Sequence, residues 1–298
     1  MTTIVGVHGI AQQYRSEVAL ARVWRDELHG GLQLALREGR DTSTALDPAF
    51  ALAFYGNVFR RTVKSTTSAE LLDAADLTEP EQDFLLQLWA ETAAVDPAVP
   101  PPAPSYKTMG LARTAAAQRA LLALSRSRFF GPRAGARLPS VLRQVSRYFD
   151  DLDIRLSARE AVEREVTEDT RVLVGHSLGS AVAYEALCAN PQWNISTFIT
   201  LGSPLGIPHV IFHRLWPEPG SQGLGQRPGS IRSWVNIADR RDPVALVKKL
   251  DGLFAGPPVH DVLVDNGPTE HDVKPYLSAV ETGRAVLSAL GDSEVGER

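Results

Sequence analysis

Ser177 lies in the pentapeptide Gly175-His176-Ser177-Leu178-Gly179. An apolar run at 171–174 (RVLV) precedes it, and small residues at 178–189 (LGSAVAYEALCA) follow. This is the setting of a strand-to-helix turn so tight that its neighbours must be glycine or very small, a demand met by Gly175, Gly179, Ser180 and Ala181. A hydroxyl held there sits at a helix N-terminus, whose partial positive charge favours a developing anion. Serine by itself is a poor nucleophile. It needs a base within hydrogen-bond reach and a third group to orient that base.

The order expected of such a site is serine, then an acid after a later strand, then a histidine near the C-terminus. His271 fits the base, because it follows the last strand-like run in a Gly-Pro loop just before the closing helix. His260 starts inside a strand pattern, and His209 and His213 come too early in the chain. His176 adjoins the serine and is expected to point away from it. Asp242 is favoured as the acid because Pro243 stiffens its loop, with Asp239, nearer the strand end, as the alternative and Asp265 a more distant one. An oxyanion needs two backbone N–H donors. One is the amide of Leu178, and the second is that of Ile10, in a His8-Gly9-Ile10 turn directly after the first apolar run.

Strand-like runs fall at 3–7, 49–55, 171–174, 196–201, 233–238 and 259–264. Helical periodicity covers 16–38, 155–166, 178–189 and 272–290, with Gly30-Gly31 weakening the middle of the first helix. Buried strands alternating with helices predict an α/β fold with a mostly parallel sheet covered on both faces. Between the second and third strands, residues 65–96 carry eight acidic side chains and no Lys or Arg, while 97–149 carry eight Arg, one Lys and no acid. Apolar positions such as Leu71, Leu72, Phe84 and Leu88 in one half, and Leu121, Leu142 and Val145 in the other, predict a mostly helical insertion over 65–148. The charge split reads either as two halves lying against each other or facing solvent, or as a basic surface for an anionic partner such as lipid headgroups.

At 298 residues and 44% hydrophobic composition the chain can bury a large core, and one cysteine, Cys188, leaves no disulfide framework and no multi-cysteine metal site. A formal net charge of −4 gives no reason to expect nucleic acid as a partner. No metal-binding or phosphate-loop motif stands out, so neither a cofactor nor a metal is expected. No basic leader and no apolar run near the roughly 20 residues of a membrane span occurs, and a soluble, cytoplasmic protein is expected. Trp216 is read as core, with a place in an acyl pocket as the alternative.

Together VGVHGI, VGHSLGSAVAYEAL, TLGSPLG, WVNIADRRDPVA and EHDVKPYL resemble the α/β-hydrolase-fold serine hydrolases of the lipase/esterase kind. The resemblance covers residues 3–10 and about 170–290, and its Asp-Pro-Val context supports Asp242. It implies an α/β-hydrolase core, expected over 1–64 and 149–298; residues 65–148, which it does not cover, are read from the length of the insertion as a cap or lid. It also implies a Ser177–His271–Asp242 triad with Ile10 and Leu178 as oxyanion donors. An acyl-enzyme mechanism is implied with it but no substrate, and the reaction expected is cleavage of a small-molecule or lipid carboxylic ester or thioester. An acyltransferase, amidase or peptidase would use the same triad. A catalytically inactive module recruited to membrane or protein through the basic part of 97–149 is the remaining alternative.

Overall fold

A computed structural model describes residues 3–39, 47–60, 74–102, 113–127, 134–267 and 269–295. Among the described residues six strands form one sheet: β1 (Ile4–Val7), β2 (Phe50–Ala53), β3 (Val172–His176), β4 (Thr197–Leu201), β5 (Ser233–Asp239) and β6 (His260–Val264). They lie in the order β2-β1-β3-β4-β5-β6 with every neighbouring pair parallel. The central strands β1, β3 and β4 are buried along their whole length, which is why they read as unbroken apolar runs. The edges β2 and β6 are only partly buried.

Side chains alternate across the sheet and build two cores. On one face Ile4, Val172, Val174, Ile199 and Ile237 meet Leu20, Trp24, Leu28 and Leu32 of α1 (Glu17–Glu38), together with Tyr276 and Leu277 of α7 (Val273–Ser278) and Val286 of α8 (Val280–Val295). On the other face Val5, Val7, Leu173, Phe198 and Trp234 meet α5 (Leu152–Glu165) and α6 (Gly179–Ala189). That second core continues into α2 (Glu79–Val95), α3 (Arg113–Leu124) and α4 (Ala134–Asp150), the helices that lie between β2 and β3 in the chain.

Gly31 does not break α1. A Cβ there would come within 2.5 Å of the Leu277 carbonyl oxygen, and one on Gly283 within 2.1 Å of the Gly31 carbonyl oxygen. The glycines are the point at which α1 and the C-terminal helices touch backbone to backbone. The expected single helix over 272–290 is two, because Ala279 takes an extended conformation with ψ 139° between them.

The acidic and basic halves of the stretch before β3 pair with each other. Arg113 binds Glu79 at 3.0 Å and Asp83 at 3.3 Å, and Arg143 reaches Glu81 at 3.2 Å. Glu81 also accepts the Thr78 amide at 2.8 Å and so caps α2 from within. Residues 61–73, 103–112 and 128–133, which include Leu71, Leu72 and the expected boundary at 64–65, lie outside the described residues. Beneath this bundle Glu185 of α6 gathers the Arg155 guanidinium (Nε at 2.9 Å), the Tyr148 hydroxyl at 2.7 Å and the Trp216 amide at 3.0 Å. A buried ion pair holds only when its remaining hydrogen bonds are satisfied in this way. Trp216 is neither core nor pocket: it is 42% exposed and lies over the Arg155 guanidinium at 4.7 Å.

Among the described residues no helix is long and apolar enough to cross a membrane.

Candidate active site

β1 and β3 are neighbours, yet the chain leaves them toward opposite faces, through α1 on one side and α6 on the other. Parallel strands that diverge in this way leave a crevice at their carboxyl ends, the usual place for a ligand. The turn after β1 (His8-Gly9-Ile10) and the turn after β3 (Ser177) line it.

Ser177 adopts φ +54°, a left-handed conformation that costs a side-chain-bearing residue about 1–2 kcal/mol. The neighbours leave it no slack. A Cβ on Gly179 would sit 2.2 Å from the Val7 carbonyl oxygen, and the Ser177 amide is held by Leu201 O at 3.0 Å. The strain delivers the hydroxyl to the N-terminus of α6 and into the crevice.

Asp242 follows β5, and His271 lies between β6 and α7. The structure brings both to Ser177. His271 Nε2 is 3.0 Å from Ser177 Oγ, and His271 Nδ1 is 2.8 Å from Asp242 Oδ2. A carboxylate only accepts, so Nδ1 carries the proton and Nε2 is left to accept from the serine hydroxyl. Asp242 is fully buried. Burial alone would raise its pKa, but the His271 charge and hydrogen bonds from His271, the Tyr276 hydroxyl and the Val244 amide outweigh it and hold the carboxyl below its ordinary value. Tyr276 Oη donates to Oδ2 at 2.7 Å, and Oδ1 accepts the Val244 and Ala245 amides at 2.8 and 3.3 Å.

The other acids are occupied elsewhere. Asp239 accepts the amides of Arg241 and Asn266 and so ties the end of β5 to the loop after β6. Asp265 pairs with Arg241 at 2.9 Å on the surface. His209 and His213 stack on each other, with centroids 4.8 Å apart. His176, next to the serine in the chain, turns its ring to the base: it stacks on the His271 ring at 4.8 Å and donates from Nε2 to the His271 carbonyl at 3.2 Å. Burial and the neighbouring His271 push its pKa down to about 3, so it supports the base as a neutral ring.

Three partners lie inside the motif stretches, but their part in the site does not follow from the motifs. Tyr276 is one, visible in the sequence only as a core position of the closing helix. His176 is the second. The third is the His8 side chain. Its Nε2 accepts the Tyr55 amide at 3.1 Å, which leaves the proton on Nδ1, and Nδ1 donates to the Gly9 carbonyl. The Tyr55 ring stacks on it at 4.3 Å, and burial lowers the His8 pKa to about 4. Because the Gly9 carbonyl and the Ile10 N–H belong to one peptide plane, fixing the oxygen fixes the direction of the N–H. Among the described residues the amides of Ile10 and Leu178 donate to no protein acceptor.

The crevice opens into a cavity of about 490 Å³. Ser177, His271 and the His8–Gln12 turn form one wall; Phe84 and Leu88 of α2 and Val141, Leu142 and Val145 of α4 form another; Ile207, Val210 and Ile211 form a third. Among the described residues no group of three or more His, Cys, Asp or Glu side chains is arranged to hold a metal ion. The arrangement can transfer a proton from Ser177 to His271, stabilise the resulting imidazolium with Asp242, and offer two backbone donors to a developing anion beside an apolar cavity. Comparison of the chain with protein-family models, with curated proteins and with solved structures found no match, so the reading of the site rests on its own geometry.

Proposed function

We propose that the protein is a serine hydrolase of the α/β-hydrolase fold that cleaves a carboxylic ester or thioester through an acyl-enzyme. The hydrogen-bonded chain Ser177–His271–Asp242, set on a left-handed serine, carries this reading. Ser177 Oγ attacks the substrate carbonyl as its proton passes to His271 Nε2. Asp242 stabilises the imidazolium and keeps the ring in the working tautomer. The amides of Ile10 and Leu178 receive the oxyanion, and the positive end of α6 adds to their effect. His271 returns the proton to the leaving alcohol or thiol. Water then attacks the acyl-enzyme by the same route and frees the acid.

The wall formed by α2 and α4 receives the acyl portion, and the helices between β2 and β3 act as the cap that selects it. An apolar cavity with few polar groups beside the reacting atoms suits an aliphatic or aromatic acyl chain.

Hydrolysis of p-nitrophenyl esters from acetyl to palmitoyl tests the reading. Turnover is expected in the wild type and a fall on the order of 10⁶-fold in Ser177→Ala. A fluorophosphonate should label Ser177 in the wild type only. A protein that neither turns over an ester nor takes the label is not a serine hydrolase.

A further inference from the structure

The turn after β1 is held from two sides. On the sheet side the His8 ring fixes the Gly9 carbonyl. Two residues on, Ala11 takes φ +63°, a conformation that an L side chain keeps only when its surroundings impose it. A contact that holds this conformation comes from 133 residues away: the Ala11 amide donates to Gln144 Oε1 at 3.0 Å. Gln144 is buried within α4. Its neighbours on that helix, Val141, Leu142 and Val145, line the cavity. One helix therefore touches both whatever fills the cavity and the backbone next to Ile10.

We infer that Gln144 is a positioning residue that couples the seating of an acyl chain against α4 to the aim of the Ile10 amide, so that chains long enough to reach α4 are turned over faster as well as bound more tightly. The inference rests on the hydrolase reading. A chain packed on Val141, Leu142 and Val145 restrains the helix. That restraint passes through Gln144 Oε1 to the Ala11 amide and so to the neighbouring Ile10 N–H. A short acyl group leaves the α4 wall untouched and gains nothing at the oxyanion. Displacements well under 1 Å are enough to matter, because misplacing a reacting group by about 1 Å costs on the order of 100-fold in rate.

The test is Gln144→Met, which preserves side-chain length and packing but removes the amide oxygen. kcat and KM are measured on p-nitrophenyl acetate, butyrate and decanoate, and amide exchange is followed in the peptide containing Ala11. In the wild type kcat should rise with chain length. In the variant that rise should vanish, with kcat on decanoate falling between about 10- and 100-fold. KM should keep its trend, because Val141, Leu142 and Val145 are intact, and exchange should quicken at Ala11 while α4 itself stays protected. A variant with the wild-type chain-length profile in kcat overturns the inference. So does a wild-type kcat that is flat in chain length, or exchange that rises along all of α4, which marks general loosening. Failure of the hydrolase reading looks different: the wild type itself then shows neither ester turnover nor fluorophosphonate labelling at Ser177, and the coupling falls with it.

Discussion

The two sides of the cavity are built by different means. On the sheet side Ser177, Asp242 and His271 each lie in a turn or loop that follows a strand and are fixed by directed bonds. Asp242 alone accepts from four donors. On the helical side Phe84, Leu88, Val141 and Val145 present only carbon to the cavity and are held by packing. Hydrogen bonds specify angles, whereas packing specifies volume. The first wall is suited to one chemistry, and the second can be reshaped to suit different substrates.

The sharpest way to break this contrast is Asp242→Asn. It keeps the shape of the side chain and its packing, but it can present an NH₂ where His271 Nδ1 needs an acceptor. A fall in kcat of about 10⁴-fold is expected, with the fluorescence-monitored fold unchanged. A fall of less than tenfold would show that the orientation of His271 does not depend on this carboxylate.

Acid should act next most strongly, and through stability. His8 and His176 are buried and neutral in the fold, with pKa values lowered to about 4 and about 3. In the unfolded chain both protonate below about pH 6.5. Their neutrality therefore costs nothing above that pH, and stability is lost as the pH falls from about 6.5 toward the folded values, by about 2 kcal/mol per ring near pH 5. Urea midpoints measured from pH 7.5 to 4.5 should show this slope, and His176→Gln should reduce it. An unchanged slope in the variant would place the acid sensitivity elsewhere.

On the helical wall Phe84→Ala should leave the rate on an acetyl ester within a fewfold of wild type. It should shift the preferred chain toward longer or bulkier acyl groups by about 10-fold or more, the discrimination expected of a few methylenes of pocket volume. A comparison of kcat/KM across the p-nitrophenyl series reads this directly, and an equal loss on every ester would contradict a purely volumetric wall. Smallest of all is Arg113→Ala. Its bridges to Glu79 and Asp83 are solvent-exposed, so thermal unfolding should register a loss of no more than about 1 kcal/mol, shrinking with added salt.

The sequence showed most clearly what is local. The turn at Ser177 is encoded within five residues, because Gly175 and Gly179 meet a steric demand that only glycine satisfies. The parallel sheet is legible in runs such as those of β3 and β4, which are buried on both faces. What remained hidden depends on distant partners. Tyr276 looked like any core residue of an amphipathic helix, and only the fold shows its hydroxyl on Asp242. Asp239 and Asp242 could not be separated by spacing, since the choice turns on which carboxylate the loop after β6 brings against His271. Gly31 read as a weakness in a helix because local propensity says nothing about the Leu277 backbone lying against it. Nothing in 65–148 predicted that Gln144 would meet Ala11.

The position of β1 also governs how the molecule can assemble. It precedes the other five described strands in the sequence, yet it pairs with β3, with Ile4 opposite Val172, and α1 lies against α7 and α8, more than two hundred residues further on. The β1–α1–β2 segment and the run from β3 to β6 can each form from neighbouring residues. Joining them closes a loop of more than a hundred residues, an entropic cost that slows folding. During synthesis the first segment must wait, with one side of β1 unpaired and the apolar face of α1 uncovered, until the C-terminal helices emerge. His271 arrives only with that last segment. The complete Ser177–His271–Asp242 set therefore forms only once the C-terminal helices have docked, and until then the unpaired side of β1 and the apolar face of α1 are surfaces on which a partly folded chain can aggregate.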